Sequence, residues 1–194
     1  MIKSFQRTVI RDVNFVDMAH FGAGLAQVHP GFKSHFELGL SFIKTAIDWV
    51  GSKITRIVFC GHSLGGAVAQ LAFYYFNVID KLPVLSDCVT IGSPKIGCVN
   101  FCREFESISK DCEITRFGRF VRTDEKNMKD DLVTVLPPWL MHALNFQRIK
   151  VSSVGISVED SKKSNSMTTS LETHDADGYF ELISRYLNQF EKIN

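Results

Sequence analysis

The chain has 194 residues and a net charge of +1, with acidic and basic residues interspersed, so its length suits one domain and its charge offers no basic stripe for nucleic acid. No apolar run reaches membrane-spanning length, and the N-terminus Met1-Ile-Lys-Ser-Phe-Gln-Arg7 lacks a secretory apolar region, so a cytoplasmic protein is expected. Sixteen phenylalanines leave rings for an apolar cleft as well as a core, and five cysteines, an odd number, cannot all pair with one another.

Residues 1–10 accommodate a short strand, and 15–27 is an apolar, glycine-containing stretch without a clean period. His29-Pro-Gly-Phe32 reads as a turn, because Pro30 disfavours helix at His29. From 34 to 50, Phe36, Leu40, Ile43 and Ile47 recur at helical spacing, with Gly51 as the stop. A strand over 54–60, a helix over 64–78 and a strand over 85–91 follow, with Pro83 breaking the connection.

Further along, 98–105 is predicted helical, 112–121 a strand, 146–158 one or two strands, 160–169 a polar serine-rich loop and 179–190 an amphipathic terminal helix. Strand–helix alternation at this spacing predicts an α/β fold with a largely parallel sheet covered on both faces. Cys60 and Cys88 fall in strand-like runs and read as buried small hydrophobes. Cys98 and Cys102, four apart on a helix, are badly placed for a disulfide and too few for zinc. A reduced chain without metal or cofactor is expected.

The segment Phe59-Cys-Gly-His-Ser-Leu-Gly-Gly-Ala67 joins the 54–60 strand to the next helix through Gly61-x-Ser63-x-Gly65. A sharp strand-to-helix turn projects the serine hydroxyl away from the sheet, beside a helix N-terminus that stabilises developing negative charge. Flanking glycines are expected because such a turn leaves little room for Cβ atoms. A serine nucleophile needs a histidine to take its proton and a third group to orient that histidine.

Of six histidines, His20, His29 and His35 precede Ser63, and the side chain of His62 is expected to leave the turn in another direction. His142 and His174 remain, and His174, between a polar loop and a helix, is the better placed. Asp124, Asp130 and Asp131 are all candidate acids, each equally readable as a solvated loop carboxylate.

Five segments together resemble the class 3 lipases, a family that includes fungal triacylglycerol lipases and related plant and other eukaryotic acylhydrolases. Val28-His-Pro-Gly-Phe32 is similar to a His-x-Gly-Phe stretch, and Ile57-Val-Phe-Cys-Gly-His-Ser-Leu-Gly-Gly-Ala-Val-Ala69 to the nucleophile segment. Thr90-Ile-Gly-Ser-Pro-Lys-Ile-Gly97 resembles the next strand and Gly-x-Pro turn. Asp131-Leu-Val-Thr-Val-Leu-Pro-Pro138 resembles Asp-x-Val-Pro-x-Leu-Pro-Pro, and His174 stands before the last helix, where the family places its base.

The resemblance, which runs from about residue 5 to residue 180, implies an α/β-hydrolase fold, a catalytic set of Ser63, Asp131 and His174, and no cofactor. It implies an oxyanion hole built from the backbone N–H groups of Thr8 and Leu64. It also maps a lid to about 13–27 and an acyl groove or lid surface to Phe15, Met18, Phe21, Leu25, Leu136, Trp139 and Leu140, positions that ordinary packing explains equally well. The expected activity is hydrolysis of lipid esters, with transient contact at a lipid surface.

Two departures bear on this. Thr134 replaces the family's first proline, and Phe5-Gln-Arg-Thr8 has Arg7 where Phe-Arg-Gly-Thr has glycine. The chain also begins roughly where the oxyanion strand begins, so a sheet without the fold's N-terminal strands is expected, its new edge protected by twist, by charge, or by a partner chain or dimer. Arg7 and that edge motivate a rival reading, a weak or silent lipase-like protein with a binding role. An esterase for small soluble or feruloyl-type esters is a further alternative.

Overall fold

A computed structural model describes residues 18–22, 24–111, 117–124, 129–142, 147–159 and 169–186. The elements in chain order are β1 (Ala19–His20), β2 (Gln27–Val28), α1 (Pro30–Val50), β3 (Arg56–His62), α2 (Leu64–Tyr74), β4 (Leu85–Ile91), α3 (Val99–Asp111) and β5 (Phe117–Asp124). They continue with β6 (Lys129–Asp131), β7 (Gln147–Ser152), β8 (Gly155–Glu159), β9 (Thr169–Ser170) and α4 (Ala176–Arg185).

Strands β3, β4, β5 and β7 lie side by side in parallel, and β8 closes on β7 as an antiparallel hairpin. Each parallel step needs a crossover, which α2 supplies between β3 and β4 and α3 between β4 and β5. This is the α/β-hydrolase arrangement. The last two residues of β5 leave the main sheet to pair with β6, which pairs with β9. That small outgrowth carries the segment with Asp131 to the segment before His174.

Alternation within the strands divides the interior in two. Phe59 of β3 and Cys88 of β4 are register partners, and both join a cluster with Phe32 and Phe36 of α1, Phe73 of α2 and Phe101 and Phe105 of α3. Ile91, Ile149 and Val151 have the opposite parity and pack with Tyr179 and Leu182 of α4. Helices therefore cover both faces.

Several expectations shift. His29-Pro-Gly-Phe32 is the start of α1 rather than a separate turn: His29 is extended at φ −62° and ψ 127°, and its ring nitrogen accepts the Gly31 N–H. Pro30 costs nothing in the first turn, where its missing N–H has no helical partner. Helix α2 ends at Tyr74 and passes into a π-helical turn over Tyr75–Ile79. Cys60 is exposed, because it points to the opposite side of β3 from Phe59; it, Cys88, Cys98 and Cys102 are all free thiols.

Of the region mapped as a lid, about 13–27, residues 18–22 and 24–27 are described. Its described part is a β1–β2 hairpin, closed by Phe21 N–H donating to the Ala26 carbonyl. Phe21 is a core residue, its ring 5.5 Å from Phe36, 5.6 Å from Tyr74 and 6.3 Å from Phe101. Burying such a ring contributes roughly 1.5–3 kcal/mol, which outweighs leaving it to line a groove.

Candidate active site

Ser63 links β3 to α2 at φ 55° and ψ −125°, a backbone conformation costing about 1–3 kcal/mol for a residue with a Cβ. Its N–H donates to the Ile91 carbonyl at 2.9 Å, which ties the turn to the end of β4. The Gly66 and Ala67 N–H groups turn back onto the Ser63 carbonyl. The amide of Leu64, the first helical residue, is among those an α-helix leaves without an intrahelical acceptor.

The glycines work differently from the simple pattern. A Cβ on Gly61 would lie 2.1 Å from the Gly65 carbonyl oxygen, and one on Gly66 would lie 2.7 Å from Ser93 Cβ. A Cβ on Gly65 would meet no described atom within 4 Å. The tight approaches of the elbow are thus at Gly61 and Gly66. Ser93 is held there by Gln70, whose Nε2 donates to its Oγ at 2.9 Å, both residues being buried.

The structure brings Ser63, His174 and Asp131 into one hydrogen-bonded line. A carboxylate only accepts, so His174 Nδ1–H donates to Asp131 Oδ2 at 2.8 Å. That leaves Nε2 to accept the Ser63 hydroxyl at 2.7 Å. Ser63 and Asp131 are fully buried, and the His174 side chain is 11% exposed.

Local structure explains each placement. Asp131 caps a 3-10 turn over Leu132–Val135, its Oδ1 accepting the Val133 N–H at 2.9 Å. Thr134 donates its hydroxyl to the Asp131 carbonyl at 2.7 Å, a bond that proline in its place would lack. His174 ends another 3-10 turn, Glu172–His174, anchored by Thr173 Oγ1 on the Ser170 carbonyl. Asp175 then caps α4 through the Gly178 N–H.

The other candidates face elsewhere. His142 Nε2 engages the Thr134 carbonyl at 2.7 Å. Asp130 is buried beside Lys150, Nζ to Oδ1 at 3.5 Å. His62 does not leave the site: its ring stacks on His174, centroids 4.8 Å apart with planes 25° apart. β3 places its side chain on the α4 side of the sheet, where His174 arrives.

Tyr179 was not among the candidates. Its hydroxyl donates to Asp131 Oδ2 at 2.7 Å from a buried position on α4. Of the groove residues, Met18 and Leu136 are half-buried, while Leu25 and Trp139 are exposed. Leu140 is buried, because the loop folds back from Pro137 and Met141 is bridged to Gly97. Phe15 and Thr8 lie outside the described residues. Among the described residues no helix is long and apolar enough to cross a membrane, and no cluster of three metal-ligating side chains occurs.

Residues 4–141 match the family model for lipase (class 3). The chain belongs to the class 3 lipase family. Its fold is similar to that of a lipase from Rhizopus microsporus var. chinensis, at 24% identity and a TM-score of 0.64, covering 87% of this chain and 60% of that one. Lipase II from Rhizopus niveus gives 25% identity and a TM-score of 0.65, covering 88% of this chain and 65% of that one. A triacylglycerol lipase with a serine protease triad as its catalytic centre gives 23% and 0.66, covering 87% of this chain and 65% of that one. This class 3 lipase chain thus spans less than two thirds of the length of each. No curated protein sequence matches it.

Proposed function

We propose that this chain hydrolyses acyl esters, those of lipids foremost, through an acyl-enzyme on Ser63. The observation that carries the reading is the hydrogen-bonded line from Ser63 Oγ through His174 to Asp131, at 2.7 and 2.8 Å. The strained conformation of Ser63 at the N-terminus of α2 supports it. A lipid substrate rests on family membership and on a structural relative named as a triacylglycerol lipase.

Ser63 attacks the ester carbonyl carbon while His174 Nε2 takes its proton. Asp131 holds the imidazole tautomer and stabilises the imidazolium that forms. The Leu64 N–H, at the positive end of α2, donates to the oxyanion, with Thr8 as the second donor that the family resemblance implies. His174 then protonates the leaving alcohol, and water repeats the sequence on the acyl-enzyme to release the acid. Contact with a lipid surface delivers the substrate.

A fluorophosphonate probe tests the chemistry: labelling of the protein that is lost in Ser63→Ala is expected. Absence of Ser63-dependent labelling in folded protein overturns the reading. Acid release from triglyceride, phospholipid and short-chain esters, compared side by side, then assigns the substrate class.

A further inference from the structure

His174 is held by two hydrogen bonds at opposite nitrogens of its ring, one to Asp131 and one from Ser63. Together with the Cβ–Cγ bond they set the plane of the ring, but hydrogen bonds bend easily and leave it room to rock. Rocking tilts the Nε2 lone pair away from the serine hydroxyl and from the departing oxygen. A contact on the face of the ring limits that movement.

The stacked ring of His62 makes that contact, 4.8 Å away with planes 25° apart. His62 is itself braced edge-on by Tyr179, centroids 5.7 Å apart with planes 63° apart, the residue that also bonds Asp131. The His62 Nε2 is buried without a hydrogen-bond partner. The ring also shares a backbone hydrogen bond with His174, and what it presents to the His174 imidazole is a flat face. Burial and the neighbouring His174 lower the pKa of His62, so it remains a neutral surface against a ring that becomes cationic during turnover. A planar stack also lets His174 slide within its own plane, from Ser63 Oγ toward the leaving alcohol, without losing contact.

We propose that His62 is a positioning residue that fixes the tilt of the His174 imidazole through its stacked face. This rests on the proposed esterase chemistry and adds to it a residue that acts on the base alone. Three variants separate flatness from volume and from polarity. His62→Phe keeps a flat ring without nitrogens, His62→Leu keeps apolar bulk without a flat face, and His62→Ala removes both.

Fluorophosphonate labelling and kcat are expected to fall about 10- to 100-fold in His62→Ala and His62→Leu, the scale of a small misplacement of a catalytic group. KM should change little, because His62 touches the base and not the acyl chain. His62→Phe should recover most of the loss. Retention of more than half the wild-type kcat by both His62→Leu and His62→Ala overturns the proposal. So does a His62→Phe variant as slow as His62→Ala, which would assign the role to the imidazole nitrogens.

A readout independent of turnover is the low-field proton resonance of His174 Nδ1–H on Asp131. It should be sharp in wild type and His62→Phe and broadened in His62→Leu, and equal sharpness in all three overturns the proposal. If wild type fails to label at Ser63, the esterase reading fails while this resonance still decides the positioning role.

Discussion

The Tyr179 hydroxyl and the His174 Nδ1–H converge on the same oxygen of Asp131, at 2.7 and 2.8 Å. With the Val133 N–H on the other oxygen, the buried carboxylate has three donors, which offset much of the cost of removing it from water. Tyr179→Phe deletes one donor while keeping the ring that packs against His62. The fluorophosphonate labelling rate is expected to fall three- to tenfold, in line with about 1 kcal/mol for one hydrogen bond. Thermal melting should drop modestly in parallel; a labelling rate equal to wild type would show that the phenol only fills space.

Adjacent aspartates provide a sharper contrast. Asp131 faces His174, whereas Asp130 is paired with Lys150 at 3.5 Å. Asp131→Asn can present its amide to the wrong ring nitrogen and reverse the tautomer, a change that lowers kcat about 10⁴-fold in a serine protease. A comparable collapse of ester turnover is expected here. Asp130→Asn should retain turnover within a few-fold while losing about 1–2 kcal/mol of stability, since its ion pair with Lys150 is lost. Equal losses of turnover in the two variants would remove Asp131 from its special role.

Substitution of the elbow glycines is read by denaturation. Gly61→Ala forces a methyl to 2.1 Å from a backbone oxygen and Gly66→Ala one to 2.7 Å from Ser93 Cβ. Neither backbone yields without opening the turn, so losses of roughly 3 kcal/mol or more are expected, at the severe end for single substitutions. At Gly65 the methyl enters open space, and helix propensity favours alanine by up to about 1 kcal/mol. Gly65→Ala is therefore expected to melt at or above the wild-type temperature. A large loss there, with Gly66→Ala unharmed, would reverse the reading of the turn.

The start of the parallel sheet was legible because β3 and β4 carry apolar runs, with Pro83 between them, and the helix before β3 has a clean period. Strands of two or three polar residues, Lys129–Asp131 and Thr169–Ser170, have no period to read, yet they carry Asp131 and the segment before His174 together. The candidate histidine and aspartate depended on family resemblance for the same reason: neighbouring residues such as Asp130 and Asp131 differ in facing direction, which composition does not encode. Tyr179 on an amphipathic helix reads as core, and it is core; only the position of Asp131 reveals its hydroxyl as a donor. For Phe21, within the mapped lid, sequence left groove and packing equally open, and its ring lies in the core with Phe36, Tyr74 and Phe101. For Gly65, the pattern named the wrong one of two consecutive glycines, because what matters is the approach of Ser93, just after β4, to Gly66.

The last expectation concerns pH. Burial, and then the neighbouring His174 imidazole, lower the pKa of His62 from its ordinary 6.5, while Asp131, a backbone hydrogen bond with His174 and Asp175 act in the opposite direction. The unfolded chain therefore binds a proton at this position more readily than the folded one. Below pH 6.5 protonation favours unfolding, so stability is lost as pH falls from about 6.5 toward the lower folded value; above 6.5 both states are neutral and the effect vanishes. His62→Phe removes this titration while keeping the stacked ring. Melting temperatures of the two proteins should run parallel from pH 7 to 8 and diverge as pH falls toward 5, the variant losing less. Parallel curves throughout that range would show that His62 takes up its proton equally well in the folded and unfolded states, and that its burial against His174 has no energetic consequence.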